Sequence, residues 1–132
     1  MITQTRRTFL ATASALTLCV TTSFAMEKEN SPLVHHVFFW LKNPTSKEDL
    51  AKLLEGLKTL KKIETIKMLH IGVPASTEKR DVVDNSYSAS ELMFFDDLAG
   101  QKTYQDHPIH QKFIADCSNL WDKVIVYDAI TA

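Results

Sequence analysis

Residues 34–42 (VHHVFFWLK) decide the fold, because this run is dense in β-branched and aromatic side chains and stops at the breaker Asn43-Pro44. Side chains alternate across a strand, so the run separates into two sets that face opposite sides of a sheet. The sets are Val37, Phe39 and Leu41 on one side, and His36, Phe38 and Trp40 on the other. Both sides are rich in apolar groups, and leaving a large apolar side chain in water costs about 1.5 to 3 kcal/mol. The strand therefore needs a covering layer on each side.

The rest of the chain predicts a βαββαβ succession around that strand. A capping box at Thr45-x-x-Glu48 opens a first helix, whose leucines recur at helical spacing as far as Ile63. The other elements are strands over 66–73 and 87–95, a helical stretch from 96 that resumes after His107-Pro108, and a last strand over 123–130. A proline suits the first turn of a new helix, where its missing N–H would have no partner.

Two split βαβ units in this order predict an α+β, ferredoxin-like fold with an antiparallel sheet in strand order 4-1-3-2 and both helices on one face. The other face, which carries Phe38 and Trp40, then stays open. The simplest cover is a second copy of the same sheet, so we predict a two-fold dimeric α/β barrel in which the chain is its own partner. The alternative is that the loop over residues 75–85 covers this face within one chain.

The charge balance and the hydropathy pattern argue against two classes of function. The chain has 132 residues, with 15 Lys+Arg and 16 Asp+Glu, for a formal net charge of -1 at pH 7. This balance offers no basic surface for phosphates, and no apolar run reaches the ~18 residues that a membrane span needs. We therefore expect neither nucleic-acid binding nor a membrane-spanning segment.

The N-terminus predicts a twin-arginine signal peptide over residues 1–25. Its features are Arg6-Arg7, then Phe9-Leu10, an uncharged stretch rich in Ala, Thr and Leu, and the small-x-small cleavage site Ser23-Phe24-Ala25. The signal predicts a periplasmic or secreted protein, with residues 26–32 as a linker and 33–130 as one folded domain. Cys19 leaves a lipid anchor as an alternative, although Leu18 before it is bulkier than the residue such a site normally has.

One run of residues is specific enough to indicate a family. The run is Tyr104-x-x-His107-Pro108-x-His110-x-x-Phe113, and weaker agreement comes from His36, Gly72, Arg80-Asp81, Tyr87 and Val126-x-Asp128. Together these positions resemble the stress-response α/β-barrel family, also called Dabb or dimeric α/β-barrel proteins, over residues 33–129. The resemblance implies the same ferredoxin-like fold and barrel dimer. Most members of that family have no assigned reaction.

The resemblance also implies catalytic residues. A plant polyketide cyclase of this family uses a tyrosine and a histidine of this run, which match Tyr104 and His110, and a strand-one histidine that matches His36. A phenol can donate a hydrogen bond to a developing oxyanion, and an imidazole can take a proton near neutral pH. We therefore predict catalytic roles for Tyr104, His110 and His36. A further pocket histidine falls on Ala89, which argues against the same substrate. Alternatively, His110 satisfies helix-terminal groups and Tyr104 only packs.

Family register and strand alternation predict the residues that line the cavity of the barrel. Glu91 and Met93 share a face of the third strand, and a carboxylate in a cavity needs a partner or a raised pKa. We predict that Glu91 reaches His36 on the neighbouring strand, and that Phe38, Trp40, Glu91 and Met93 bind the ligand. A shifted register with Glu91 in solvent, or a cavity that Trp40 fills, are the alternatives.

The remaining motif residues are predicted to be structural. His107 and Pro108 cap and begin a helix, while His107-x-x-His110 with Asp106 lacks a third ligand of identifiable spacing, so we predict neither a metal nor a cofactor. The predicted function is an exported homodimer that binds a small, partly apolar or aromatic molecule, and any enzyme activity would be cyclase- or lyase-like acid–base chemistry. The alternatives are a non-catalytic stress or assembly module with a filled barrel core, and a haem-binding barrel.

Overall fold

The computed structural model describes residues 31–132, so the predicted signal peptide and its cleavage site lie outside the described residues. Four strands and three helices follow one another along this part of the chain. They are β1 (Leu33–Leu41), α1 (Lys47–Thr59), β2 (Met68–Gly72), β3 (Ala89–Phe95), α2 (Leu98–Asp106), α3 (Pro108–Cys117) and β4 (Trp121–Ile130). No helix in residues 31–132 has the length and apolar character that crossing a membrane requires.

The strands form one antiparallel sheet in the order β2-β3-β1-β4, which confirms the predicted ferredoxin-like topology. Strand β1 lies between β3 and β4, with Val37 opposite Glu91 on one side and opposite Val126 on the other. Every second residue of β1 from Leu33 is buried, and the apolar ones form the core with Leu53 and Leu57 of α1. The helices therefore cover the face of β1 that carries Val37.

Local hydrogen bonds fix where each helix begins. The hydroxyl of Ser46 accepts the backbone N–H of Asp49 at 3.1 Å, so α1 begins one residue later than the predicted capping box at Thr45. The Asp97 carboxylate caps α2 in the same way. His107 is the N-cap of α3, where its Nδ1 accepts the N–H of Ile109 at 3.1 Å and a proline follows in the first turn.

The other face of β1 carries an aromatic cluster that we call the outer-face cluster. It consists of His36, Phe38, Trp40, Tyr87 and Tyr127, with the ring centroids of Phe38 and Tyr87 4.9 Å apart. The indole Nε1–H of Trp40 donates to the Ser86 hydroxyl at 3.0 Å, so the segment just before β3 covers part of this face. Tyr127 is still 62% exposed, so one chain leaves the cover incomplete.

Candidate functional site

A cavity of about 250 Å³ lies between the sheet and the helices α2 and α3. We call it the helix-side cavity. Its polar lining comprises His35, Glu91, Tyr104, Gln105 and His110, and its apolar lining comprises Val37, Phe39, Phe113, Ile114, Trp121, Val124 and Val126. Ile114, Val124 and Val126 are 39%, 37% and 45% exposed, because the helices do not fully cover the edge strand β4. The cavity therefore combines a buried polar group with an apolar side that reaches solvent.

His110 lies in the first turn of α3 with its ring largely buried. Its Nδ1 lies 3.0 Å from the carbonyl oxygen of Gln105, and because a carbonyl only accepts, Nδ1 carries the hydrogen. Burial lowers the pKa of His110 below its usual value, so the neutral ring is favoured near pH 7. In that form Nε2 has a free lone pair and no hydrogen-bond partner within the described residues. The geometry suits a proton acceptor.

Tyr104 lies directly beside this histidine, with the two ring centroids 4.6 Å apart. The tyrosine is 1% exposed, and its hydroxyl points to the carboxyl of Glu91, 3.5 Å from Oε1. Burial and the neighbouring carboxyl both raise the pKa of Tyr104, so the phenol keeps its proton. The Tyr104 hydroxyl therefore donates to Glu91 in this structure, and its catalytic role stays a prediction.

Glu91 is the most unusual residue of the cavity. It is 2% exposed, and its Oε2 has no hydrogen-bond partner within residues 31–132. Burial raises the pKa of Glu91 to about 8, so the carboxyl is mostly protonated near neutral pH. The predicted pair with His36 is wrong: the register places Glu91 opposite Val37, whereas His36 lies opposite Leu92 and points to the outer face.

The histidine of β1 that lines this cavity is His35, not His36. Its Nδ1 donates to the Asp128 carboxylate at 2.6 Å, and its ring centroid lies 5.5 Å from that of Tyr104. His35 was not among the predicted site residues, although alternation places it on the same face of β1 as Val37. His36 instead contacts Phe38 on the outer face, where burial and then the nearby histidines lower its pKa.

The four predicted ligand-binding residues do not come together. Of these, Glu91 lines the helix-side cavity, while Met93 is fully buried in the core on the same side of the sheet. Phe38 and Trp40 lie on the opposite face, where they line a smaller pocket of about 130 Å³ with Tyr87. The single predicted cavity therefore does not form. Glu91 lines one space and Phe38 and Trp40 line another, on opposite faces of the sheet. Among residues 31–132, no group of three or more His, Cys, Asp or Glu is placed to hold a metal ion.

Comparisons with known proteins agree with this architecture. The family model of the stress-responsive A/B barrel domain matches residues 33–131. A Dabb family protein with a ferredoxin-like fold from Mesorhizobium loti is 24% identical, with 77% of this chain and 98% of that chain covered at a TM-score of 0.64. A dimeric ferredoxin-like protein of unknown function from Thermobifida fusca is 16% identical, with 78% and 93% covered at a TM-score of 0.63.

A third similar structure is a hydroxynitrile lyase from Passiflora edulis, 17% identical, with 78% of this chain and 95% of that chain covered at a TM-score of 0.65. At these identities, the three structures share the fold with this chain. No curated protein matches the chain.

Proposed function

The chain belongs to the stress-responsive A/B barrel domain family, and from that premise we propose that it is an exported homodimer that binds a small, partly apolar molecule in the helix-side cavity. One observation carries the proposal: a cavity of about 250 Å³ sets His110, Tyr104 and Glu91 beside an apolar lining. Pockets for drug-sized ligands begin near 300 Å³, and a cavity of about 150 Å³ holds benzene, so a single substituted ring is a suitable size.

The chemistry that this site supports best is proton transfer of a lyase or cyclase type. Neutral His110 offers Nε2 as a base. The Tyr104 hydroxyl would exchange its long 3.5 Å hydrogen bond to Glu91 for one to an oxygen that gains negative charge. That a hydroxynitrile lyase shares the fold supports this class of reaction, since such a fold can hold a lyase site. In this chain, the third histidine of the site is His35, oriented by Asp128.

The homodimer is proposed from the outer face of the sheet. Phe38 and Trp40 are only half-buried there and Tyr127 is mostly exposed, so a second copy placed on this face would remove apolar area from water. The similar protein from Thermobifida fusca is dimeric, which supports the same assembly here.

Export is proposed from the twin-arginine pattern in residues 1–25. Native mass spectrometry of protein purified from the periplasm tests export, assembly and binding together. We expect a dimer, each chain lacking the first 25 residues, with any retained small molecule seen as extra mass. A full-length chain that stays in the cytoplasm would contradict the export proposal and leave the cavity proposal to be judged separately.

Binding at the cavity is tested with acetophenone as a probe, monitored by amide chemical shifts in NMR spectra. We expect His110→Ala and Tyr104→Phe each to weaken binding several-fold. The matched control is His70→Ala, because His70 is an exposed histidine on β2 and does not line the cavity. Equal binding by all four proteins would show that the probe binds elsewhere, and the site assignment would then be wrong.

A further inference from the structure

The carboxyl group of Glu91 is buried with one long hydrogen bond to it. Its Oε1 accepts a long hydrogen bond of 3.5 Å from Tyr104, and its Oε2 has no partner in the described part of the chain. Native proteins rarely leave a buried carboxyl oxygen unpaired, so such an atom in a cavity wall indicates a ligand that completes its hydrogen bonds. The cavity lined by Glu91 provides the space for that ligand.

The surroundings of Glu91 favour the protonated acid. The titratable groups near it are Tyr104 from α2, His110 from α3 and His35 from β1, while Asp128 from β4 pairs with His35. None of these groups is a fixed cation, and Asp128 adds negative charge. No ion pair between described residues includes Glu91.

The two remaining elements contribute no charge to this environment. The buried residues of α1 are Leu53 and Leu57, and β2 places Ile71 opposite Glu91 in the sheet. The lysines of α1 and His70 of β2 are exposed, so they do not reach into the buried surroundings of Glu91. Burial then raises the pKa of Glu91 to about 8, which agrees with the geometry.

We propose that Glu91 is a neutral carboxylic acid that anchors the ligand, so that the helix-side cavity selects uncharged compounds carrying a carbonyl or hydroxyl oxygen over carboxylates and amines. The proposal rests on the proposed function and names its ligand class. The Oε2–H of Glu91 donates a hydrogen bond to the ligand oxygen, and His110 faces the same space as an acceptor. A carboxylate ligand would enter an apolar cavity without a cation to pair with, which is unfavourable.

Three probes of one size test this selectivity: acetophenone, benzoate and benzylamine, which carry a ketone, an anion and a cation on the same ring. We expect the intact protein at pH 6 to bind acetophenone at least tenfold more tightly than the other two. Acetophenone affinity should fall roughly tenfold between pH 6 and pH 9, because about nine-tenths of a group with a pKa about 8 is ionised at pH 9.

Two variants separate the hydrogen bond from the fold. Glu91→Gln keeps the shape and a donor but cannot ionise, so it should bind acetophenone with the same affinity at pH 6 and pH 9. Glu78→Gln is the matched control in the exposed loop, and it should retain the pH dependence of the natural protein. The ¹³C resonance of the Glu91 carboxyl, followed against pH, reports its protonation directly.

The outcomes separate this inference from the proposed function. If benzoate or benzylamine binds best, with chemical-shift changes around His110, the cavity still binds small molecules and the neutral-acid inference is overturned. The inference is also overturned if the Glu91 carboxyl titrates near 4.5. If none of the three probes binds at any pH, the proposed function itself fails.

Discussion

Replacing Glu91 by glutamine should change how the stability of the protein depends on pH. Glu91 is 2% exposed, and burial raises its pKa from 4.5 to about 8. The folded state therefore holds this proton more tightly than the unfolded chain does, so the stabilisation is fully present below pH 4.5 and is lost as the pH rises towards 8. At 1.36 kcal/mol per pKa unit, the complete loss is about 5 kcal/mol.

The change in unfolding free energy between pH 5 and pH 7.5 follows from the same two pKa values, 4.5 for the unfolded chain and about 8 for the folded protein. Between pH 5 and pH 7.5 the unfolded chain loses the Glu91 proton while the folded protein largely keeps it, so the unfolding free energy of the natural protein should fall by about 3 kcal/mol. Glu91→Gln has nearly the same shape and no proton to release. We therefore expect the unfolding free energy of the variant, relative to that of the natural protein, to rise by about 3 kcal/mol between pH 5 and pH 7.5.

Urea unfolding followed by circular dichroism, at half-unit steps of pH and one protein concentration, measures this difference. The control is Glu78→Gln, because Glu78 is exposed in the loop before β3. The difference in unfolding free energy between this variant and the natural protein should not change with pH. A Glu91→Gln curve that runs parallel to that of the natural protein from pH 5 to 7.5 would show an ordinary carboxylate. The reasoning from burial would then be wrong.

Three further substitutions probe the supports of the site and the outer face. Asp128→Asn removes a charge-assisted hydrogen bond from His35, and since the aspartate is half-exposed, urea unfolding should show a loss of about 1 kcal/mol. Trp40→Lys places a charge in the outer-face cluster, so light scattering should show a monomer, while the circular dichroism spectrum stays unchanged. A variant that remains dimeric would show that the dimer interface does not include this cluster. Gly56→Ala would put a Cβ 2.5 Å from the sulfur of Cys117, so urea unfolding should show a loss of about 1 to 3 kcal/mol. Adding Cys117→Ala removes that sulfur and should restore most of the lost stability.

The order of the strands could be predicted from the sequence because it depends on patterns that are local. Alternation in β1 and the helical spacing of the leucines in α1 each identify an element, and few topologies join these elements without crossed connections. The start of α1 was predicted one residue too early, at Thr45, and the adjacent Ser46 is an equally good N-cap residue. Only the structure shows that the Ser46 hydroxyl meets the backbone of Asp49.

The site was predicted in part, and the errors have one cause. Tyr104 and His110 were identified through the motif and do lie side by side. The sequence predicted His36 rather than His35 because the ligand cavity was expected on the open face of β1, inside the barrel, whereas the helix-side cavity is lined by His35. Glu91 was assigned to the same open-face cavity, but the register places it on the helix side, where its neighbour is Tyr104.

The break between α2 and α3 explains why the motif brings its tyrosine and histidine together. In a continuous helix the carbonyl of Gln105 would accept the N–H of Ile109. Here that N–H donates to His107 instead, and the Gln105 carbonyl accepts the Nδ1–H of His110 at 3.0 Å. The exchange fixes the tautomer of His110 and sets its ring against Tyr104. His107 and Pro108 at the break therefore shape the site without lining the cavity, and the spacing of the motif follows from this backbone geometry.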